Sequence, residues 1–366
     1  MSASTPARVS TVNASRRPDT AAVLRTRQRL HDGIRRLFGQ RDYLEVQTPV
    51  RVPAPALEDH IDAISADGCY LRTSPELHMK RMLADGHDRL FQLGPCFRRG
   101  ESGPRHLSEF TMLEWYRVGA TAADLLTETE ELLRTAAADV LGTHVARFND
   151  CLIRLDDGIE SVTVADAFAE FANGLSPRQA LADGEFERVL VDCIEPHLGR
   201  ERPTALTRYP AELAALARLC PDDPSCAERW ELYLGGLEIA NAFTELTDPE
   251  EQRCRFEATA DLRRQDGREV YPLDEAFLAA LEAGMPQCAG IALGVDRLLM
   301  VLTNSATIQD VVPFARDSLP FAPAMRHSTA SLPPVSSGFG AAAPWDGDGG
   351  RLGRRDTACR TCARSG

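Results

Sequence analysis

The segment HLSEFTMLEWYR, residues 106–117, combines two carboxylates, three aromatic rings and a closing arginine. Side chains of a strand alternate between its two faces. One face would then carry Phe110, Met112, Glu114 and Tyr116. A ring, an anion and a phenol on one face suit a concave site for a flat base and a cation. An amphipathic strand with a few salt bridges is the alternative, and this stretch alone leaves both open.

Two arginines precede this segment, in the turn FRRGESGPRHLSEF between two strands. Because Arg98 and Arg99 are consecutive on a strand, at least one of them is predicted to point into the site. A guanidinium inside a site is suited to binding a phosphate group. Two solvated surface arginines are the alternative.

Three glutamates, Glu231, Glu238 and Glu245, recur at a spacing of seven residues. A turn at Gly235-Gly236 would place the first two on neighbouring strands, where they could face each other across a Mg²⁺ ion. Glu245 would need a bulge or the end of the strand to reach the same pocket. An exposed acidic hairpin is the alternative.

The segment ALGVDRLLMVL is predicted to be a strand that becomes a helix at Gly294. Glycine lets the backbone approach a ligand, and the N-terminus of the helix favours anions. Arg297 would lie in the first helical turn, held by Asp296.

The elements that position these groups follow from periodicity and turn signals. Apolar residues recur at helical spacing over 20–38, with Gly39 as the expected helix end. In YLRTSPELHMKRML a strand precedes a helix, with Ser74 as its N-cap and Pro75 at its first position.

The strands in the middle of the chain are predicted to be antiparallel, with helices outside. DRLFQLGPCFRR and EFTMLEWYRV are expected to pair, and RWELYLGGLEIANAFTEL is expected to form a hairpin. Residues 145–225 are predicted to be an insertion that covers the core. This order favours an α+β fold over an alternating parallel sheet.

Composition restricts the class of protein. The 366 residues carry a net charge of −13, which argues against a protein that binds nucleic acid mainly through its phosphates. No apolar run reaches the roughly 20 residues that cross a bilayer, and no secretory signal is evident. We therefore expect a cytoplasmic protein with reduced cysteines and no membrane contact. Lys80 is the only lysine, which suggests a compositional bias.

Three segments are expected along the chain. Residues 1–19 read as a flexible leader, 20–318 as the folded domain, and 319–366 as a disordered tail rich in Pro, Gly, Ala and Ser. CRTC at 359–362 is a lone CxxC, so zinc or redox use is not expected.

In their order, the motifs resemble those of a known enzyme class. A strand ending at TP, then FRxxE…HxxEFTMLEWY, GxEIANAFTEL and GxALGVDRL, is similar to the three signature motifs of class II aminoacyl-tRNA synthetases, in their lysyl version. The resemblance covers about residues 20 to 317. It implies an antiparallel sheet flanked by helices.

Lysyl-tRNA synthetases carry an anticodon-binding domain before this core, and the start near residue 20 is expected to leave no room for one. A core of this length resembles the elongation factor P–(R)-β-lysine ligase family. That family has alanine where lysyl-tRNA synthetases commonly have glycine, and this chain has Ala292. The methyl group would suit a shifted amine, a selection of about 1–3 kcal/mol.

The resemblance implies roles for the site residues. Arg98 and Arg297 would be catalytic residues that contact ATP, and Glu231 and Glu238 would hold Mg²⁺. Phe110 would stack on adenine opposite Arg297. The amino-acid pocket would comprise Ser74, Pro75, Glu76, Glu114, Tyr116 and Glu245. The nucleotide site would comprise Arg98, Arg99, Gly100, Glu101, His106, Leu107, Phe110, Glu238, Ile239, Asn241, Gly294 and Arg297.

The chain departs from the family pattern around the nucleotide. Members often read Arg-Asn-Glu where this chain has Arg98, Arg99 and Gly100, with Glu101 one place later. The adenine contact is therefore expected from Glu101 or from the backbone. Leu107 replaces a common asparagine, so that polar contact would be lost or come from the main chain.

The resemblance further implies ATP and Mg²⁺ as cofactors. The carboxylate of (R)-β-lysine or lysine would attack ATP to form an adenylate, and a lysine side chain of elongation factor P would accept the acyl group. A homodimer is expected, because the segment around Pro49 resembles the dimer motif of the class, and tRNA is not an expected partner. Two alternatives stay open: a free-standing enzyme that charges tRNA or a small acceptor, and a non-catalytic regulatory paralogue.

Overall fold

The computed structural model describes residues 20–315. The predicted leader at 1–19 and tail at 319–366 lie outside the described residues. The α-helices are α1 (Thr20–Gln40), α2 (Glu76–Ala84), α3 (Ala122–Leu141), α4 (Val164–Phe171), α5 (Pro177–Ala182), α6 (Phe186–Val189), α7 (Pro249–Gln265), α8 (Glu275–Glu282) and α9 (Val295–Thr303). The strands are β1 (Leu44–Glu45), β2 (Arg51–Val52), β3 (Ile64–Ala66), β4 (Cys69–Leu71), β5 (Arg89–Phe97), β6 (Glu109–Val118), β7 (Val145–Phe148), β8 (Cys151–Arg154), β9 (Glu160–Thr163), β10 (Thr204–Pro210), β11 (Leu219–Cys220), β12 (Asp223–Leu234), β13 (Leu237–Thr244) and β14 (Cys288–Gly294).

One large sheet organises the described residues. Its strand order is β1-β5-β6-β14-β13-β12-β10-β9, with β11 added beside β12. The pairs from β5 to β10 are antiparallel, and only the outer pairs β1–β5 and β9–β10 are parallel. Smaller sheets join β2, β4 and β3, and β7 with β8. The predicted α+β class and antiparallel pairing are confirmed.

The two faces of the sheet have different neighbours, as the alternation of β6 predicted. Trp115 is fully buried against Phe38 of α1, at a centroid distance of 5.2 Å, in the core that also includes α3 and α9. Tyr116 faces the opposite way, into a second core with α2 and α8. The functional face of β6 is therefore the face that carries Glu114 and Tyr116.

Two helix ends differ from the prediction by one residue. Helix α1 continues through Gly39 to Gln40, and Asp42 in the following turn adopts the positive φ, +59°. Helix α2 begins at Glu76 with Pro75 as its N-cap. Ser74 still accepts a hydrogen bond from the Glu76 N–H at 2.9 Å, because its side chain folds back over the start of the helix.

Residues 145–225 are more than the predicted cover. Strands β9, β10 and β11 extend the main sheet, and helices α4, α5 and α6 pack on β10 in a third core around Phe168. The buried Tyr209 and Tyr233 belong to this core. The segment therefore extends the sheet beside the hairpin β12–β13 and covers this part of it with helices. Within the described residues, no helix combines the length and apolarity that crossing a membrane requires.

Candidate active site

Arg98 leaves the end of β5 and turns back over the ring of Phe110. Strands β5 and β6 pair up to Phe97 and Glu109, so residue 98 begins the connecting turn. Its guanidinium lies 5.1 Å from the Phe110 centroid and 3.5 Å from Glu101. Its buried Nε has no hydrogen-bond partner among residues 20–315. A guanidinium with an unpaired N–H group can donate a hydrogen bond to a phosphate oxygen.

Arg99 points away from this site. Its guanidinium lies 3.3 Å from Glu269 and 3.8 Å from Asp62, and about half of the side chain is exposed. Gly100 follows with a φ of +82°, a conformation that glycine adopts without strain. The turn therefore brings Arg98 to the site, while Arg99 ties the turn to its neighbours.

Arg297 reaches from the first turn of α9 to the acidic hairpin. Its Nη1 donates to the carbonyl and to the carboxylate of Glu238, both at 3.0 Å, and its Nη2 lies 2.5 Å from His106 Nε2. Burial and the charge of Arg297 lower the pKa of His106, so the neutral imidazole accepts this bond. The guanidinium of Arg98 lies over the Phe110 ring, and the stacking of adenine between Phe110 and Arg297 stays a prediction.

The sequence suggested that Asp296 holds Arg297, but in the structure Asp296 has other partners. Its Oδ2 accepts the backbone N–H of Thr111 at 2.7 Å, and its Oδ1 pairs with Arg27 of α1. Arg27 also donates to Thr111 Oγ1 at 2.8 Å. This buried network joins α1, β6 and the start of α9, and it positions Arg297 only through the helix that carries it.

Glu231 and Glu238 reach one face of the β12–β13 hairpin through a bulge. The register shifts after Leu232, so Glu231 pairs with Asn241 whereas Tyr233 pairs with Glu238. Because residues 231 and 233 share a face, Glu238 joins them there. Both carboxylates line a cavity of about 420 Å³, together with His106 and Arg297.

The acidic hairpin is crowded with negative charge. Glu231 accepts hydrogen bonds from Tyr209 at 2.5 Å and from Arg229 at 2.6 Å. Burial, and then the charges of Glu238 and Glu231, raise the pKa of Glu195 in the same cavity to about 7. A cation between these carboxylates would relieve their repulsion, so the donor set fits a divalent ion. The described residues contain no preformed cluster of three metal-ligating side chains.

A second group of carboxylates is buried between β6 and α2. Glu114 is 1% exposed and accepts hydrogen bonds from Ser74 Oγ at 2.7 Å and from Tyr116 Oη at 3.1 Å. Burial, reinforced by the charge of Glu76, raises the pKa of Glu114 to about 8. Ser74, Glu114 and Tyr116, all predicted for the amino-acid pocket, are therefore in direct contact.

Glu245 enters this pocket from the end of β13, one of the two routes left open by the sequence. Its N–H donates to the Cys288 carbonyl at 3.0 Å, and its Oε2 lies 2.5 Å from Lys80 Nζ. Its Oε1 has no hydrogen-bond partner within residues 20–315. Burial raises the pKa of Glu245 to about 8, although Lys80 opposes this effect. Lys80, fully buried, also donates to Glu76 at 2.6 Å.

Gly290 of β14 lets two pocket side chains lie flat on the sheet. It stands opposite Tyr116 in the strand register. A Cβ added at Gly290 would overlap the Tyr116 ring and come within 2.5 Å of Glu245 Oε1. The absence of a side chain at this position therefore leaves room for the Tyr116 ring and the Glu245 carboxyl group.

Two predicted nucleotide contacts have side chains that point elsewhere. Leu107 is 7% exposed and Ile239 is 2% exposed, and both lie in the main hydrophobic core. Only their main chains can face a ligand. Asn241 accepts from Arg229 Nε at 3.2 Å, next to the acidic hairpin, and Gly294 is the N-cap of α9.

Sequence reasoning missed several charged groups around the site. Burial raises the pKa of Glu58 to about 7, with Arg98 opposing the shift. The guanidinium of Arg229 lies 4.4 Å from the ring centroid of Tyr209. Lys80 had a signal in the sequence, since it is the only lysine. The sequence contains no comparable signal for Glu58 and Arg229, because their roles depend on contacts between distant segments.

Comparison with known proteins fits this arrangement of motifs. The family profile of tRNA synthetases class II (D, K and N) matches residues 3–318. The chain belongs to this class II tRNA synthetase family. The predicted fold class and the predicted identity as a ligase with a lysyl-type class II core are confirmed.

Similar curated proteins carry two kinds of name. The chain is 38% identical to an elongation factor P–(R)-β-lysine ligase of Proteus mirabilis, over 80% of this chain and 94% of the relative. It is 39% identical to the protein of that name in Pectobacterium carotovorum, over 77% and 91%. A lysine–tRNA ligase of Actinobacillus pleuropneumoniae is 36% identical over 79% of this chain and 62% of its own length.

Proposed function

We propose that this class II ligase activates (R)-β-lysine, or lysine, as an aminoacyl-adenylate and transfers it to a lysine side chain of elongation factor P. The observation that carries the substrate class is the pocket of buried carboxylates Glu76, Glu114 and Glu245. Buried carboxylates require cationic partners, and a diamino acid brings two ammonium groups. The names of the similar ligases support the acceptor.

ATP is the proposed second substrate, bound beside this pocket. Phe110 offers a half-buried ring for the adenine, and Arg98 next to it has an Nε that is unpaired within residues 20–315 and would donate to the α-phosphate. Arg297 and the neutral His106, which line the cavity together with Glu231 and Glu238, would contact the outer phosphates. On binding, phosphate would compete with Glu238 for Arg297, because both are anions.

Glu231 and Glu238 would hold Mg²⁺, since Mg²⁺ is usually bound in proteins by one or two carboxylates beside substrate phosphates. The ion would supply charge neutralisation for the phosphates when bound. Arg229 and Tyr209 keep Glu231 in one orientation through their hydrogen bonds.

The proposed reaction has two steps. A carboxylate oxygen of the amino acid attacks the α-phosphorus of ATP, forming the acyl–phosphate bond and releasing pyrophosphate. The ε-amine of the acceptor lysine then attacks the acyl carbon, forming an amide, releasing AMP and losing a proton to solvent. Arg98 stabilises the charge that develops on the α-phosphate, and the buried pocket fixes the amino acid for attack.

Mass spectrometry of elongation factor P tests this proposal. The acceptor is incubated with the protein, ATP and, separately, (R)-β-lysine, (S)-β-lysine, L-lysine or D-lysine. We expect one lysine side chain to gain one lysyl residue, with (R)-β-lysine the most efficient donor. An unmodified acceptor with every isomer, in a preparation that still releases pyrophosphate, would contradict the transfer step.

Lysylation of tRNA is the second candidate, favoured by the similarity to a lysine–tRNA ligase. Offering tRNA and elongation factor P to the same preparation separates the two, since the acyl group ends as an ester on one and as an amide on the other. A non-catalytic paralogue would show no ATP–pyrophosphate exchange with any lysine isomer.

We also propose a homodimer in the cytoplasm. Leu44 and Val50, in the segment that resembles the dimer motif, are 52% and 38% exposed in the single chain. Exposed apolar side chains in one place favour an interface. The cysteines within residues 20–315 are thiols without disulfides, which suits a reducing compartment.

A further inference from the structure

Lys80 is a charged side chain that the proposed reaction does not use. It lies on α2 and is 0% exposed, and its Nζ contacts Glu76 at 2.6 Å and Glu245 at 2.5 Å. Glu76 begins the same helix, whereas Glu245 follows β13, so Lys80 joins two separate walls of the pocket. Leaving such an ammonium in the interior is costly unless its partners are charged.

We propose that Lys80 is a positioning residue of the amino-acid pocket, whose ammonium holds Glu76 and Glu245 in place and favours the ionised form of Glu245 when the two amines of a diamino acid bind. This inference rests on the proposed function and deepens it. When Glu76, Glu114 and Glu245 are all ionised around a bound substrate and Lys80 is protonated, the pocket lacks two positive charges. The two ammonium groups of a diamino acid match this deficit, while its carboxylate reacts with ATP.

The groups that face Lys80 all come from the pocket. Among residues 20–315, the titratable ones are Glu76 on α2, Glu114 on β6, Glu245 after β13, and Cys288 on β14. The ring of Phe277 on α8 lies 5.9 Å from Nζ. Burial lowers the pKa of Lys80, but the charges of Glu245 and Glu76 outweigh it and raise the pKa above its usual value. Lys80 is therefore a permanent cation.

The residue type supports a specific role. The chain has 41 lysine and arginine residues, and all of them except Lys80 are arginine. Lysine carries a compact charge with three donors on a slender stem, whereas the arginine fork is planar and larger. A guanidinium at this buried position would extend between the carboxylates, where the substrate amines must lie. The position requires a small ammonium.

The test compares the pH dependence of ATP–pyrophosphate exchange in wild type and Lys80→Met. The acid limb of kcat/KM for lysine reports ionisation of the pocket carboxylates. Without the neighbouring cation the pKa of Glu245 rises, so the limb should move to higher pH by about one to three units. KM for lysine at pH 7 should rise at least about tenfold, while KM for ATP stays within about twofold.

Lys80→Arg is the matched control for charge. It keeps the cation but changes its size, and we expect it to lose lysine activation rather than restore it. Activity of Lys80→Arg near that of wild type would overturn the claim that the position requires a small ammonium. An acid limb of Lys80→Met that coincides with wild type would overturn the positioning role, even if the overall rate falls.

A rescue experiment replaces the comparison if Lys80→Met does not fold. Lys80→Ala is refolded with propylammonium, which has the length of the missing side chain, or with uncharged propionamide as its control. Recovery with propylammonium alone supports the inference, whereas equal recovery or no recovery with both overturns it. Wild-type exchange is measured first, because its absence with every lysine isomer refutes the proposed function itself.

Discussion

Glu114 holds a proton that a cationic substrate should displace. Burial raises the pKa of Glu114 to about 8, so in the empty pocket it is largely protonated at pH 7. An ammonium ligand favours the ionised form, so lysine binding should release on the order of one proton at pH 7. Calorimetric titrations in buffers with different ionisation enthalpies measure this number directly.

Glu114→Gln supplies the control for that titration. The amide is nearly isosteric but cannot ionise, so the variant should release fewer protons and bind lysine more weakly. Binding heats that do not depend on the buffer in wild type would contradict the assignment of a protonated carboxyl to the pocket.

Arg98 is expected to act on the α-phosphate, and its neighbour provides a matched control. Arg98→Ala should lower ATP–pyrophosphate exchange by about a hundredfold or more, because a donor to the developing charge is lost. Arg99→Ala should leave exchange nearly unchanged, since Arg99 points to Asp62 and Glu269. Thermal unfolding of both variants checks the fold. Near-normal exchange by Arg98→Ala would remove Arg98 from the reaction.

At the scale of single residues, local patterns predicted orientation where strand alternation applies. The alternation of β6 placed Glu114 and Tyr116 on one face and Trp115 on the other, as observed. Alternation could not indicate which of Arg98 and Arg99 faces the site, because the strand ends there. The pairing of Lys80 with Glu245 depends on a distant segment, which no local pattern reports.

At the scale of elements, the pocket depends on how closely β14 packs against β6 and β13. Gly290→Ala should displace the Tyr116 ring and Glu245, because the added methyl group overlaps both. We expect at least a tenfold increase in KM for lysine, from the loss of roughly 1.4 kcal/mol or more of binding. Exchange assays at varied lysine concentration measure the effect.

Gly39→Ala is the control for that substitution. Gly39 lies in α1 with open space around its Cα, so alanine should stabilise the helix by up to about 1 kcal/mol and leave KM unchanged. Equal KM values in Gly290→Ala and wild type would show that the pocket tolerates the methyl group.

Sequence patterns predicted the main elements but not their irregularities. The hairpin at Gly235-Gly236 and the change from strand to helix at Gly294 both follow from periodicity and turn residues. The bulge after Leu232 had no signal, yet it brings Glu238 to the face of Glu231. Strands β9 and β10 were missed because their pairing partners are decided by the whole sheet.

At the scale of the whole molecule, the proposed dimer makes a prediction of its own. Replacing Leu44 and Val50 by glutamate should yield monomers, because buried charges would oppose the interface. Light scattering coupled to size exclusion measures the mass. Leu152→Glu is the control, since Leu152 is 54% exposed on β8, outside the segment that resembles the dimer motif. A wild-type monomer, or an unchanged dimer in the double variant, would refute this interface.

The central claim is that buried carboxylates select a doubly cationic amino acid. Its most direct test is ATP–pyrophosphate exchange with (R)-β-lysine, lysine and norleucine, which lacks the distal amine, in wild type and Glu245→Gln. We predict that wild type prefers the diamino acids by about a hundredfold or more, and that Glu245→Gln loses most of this preference while KM for ATP is unchanged. The same preference in both proteins would contradict the account.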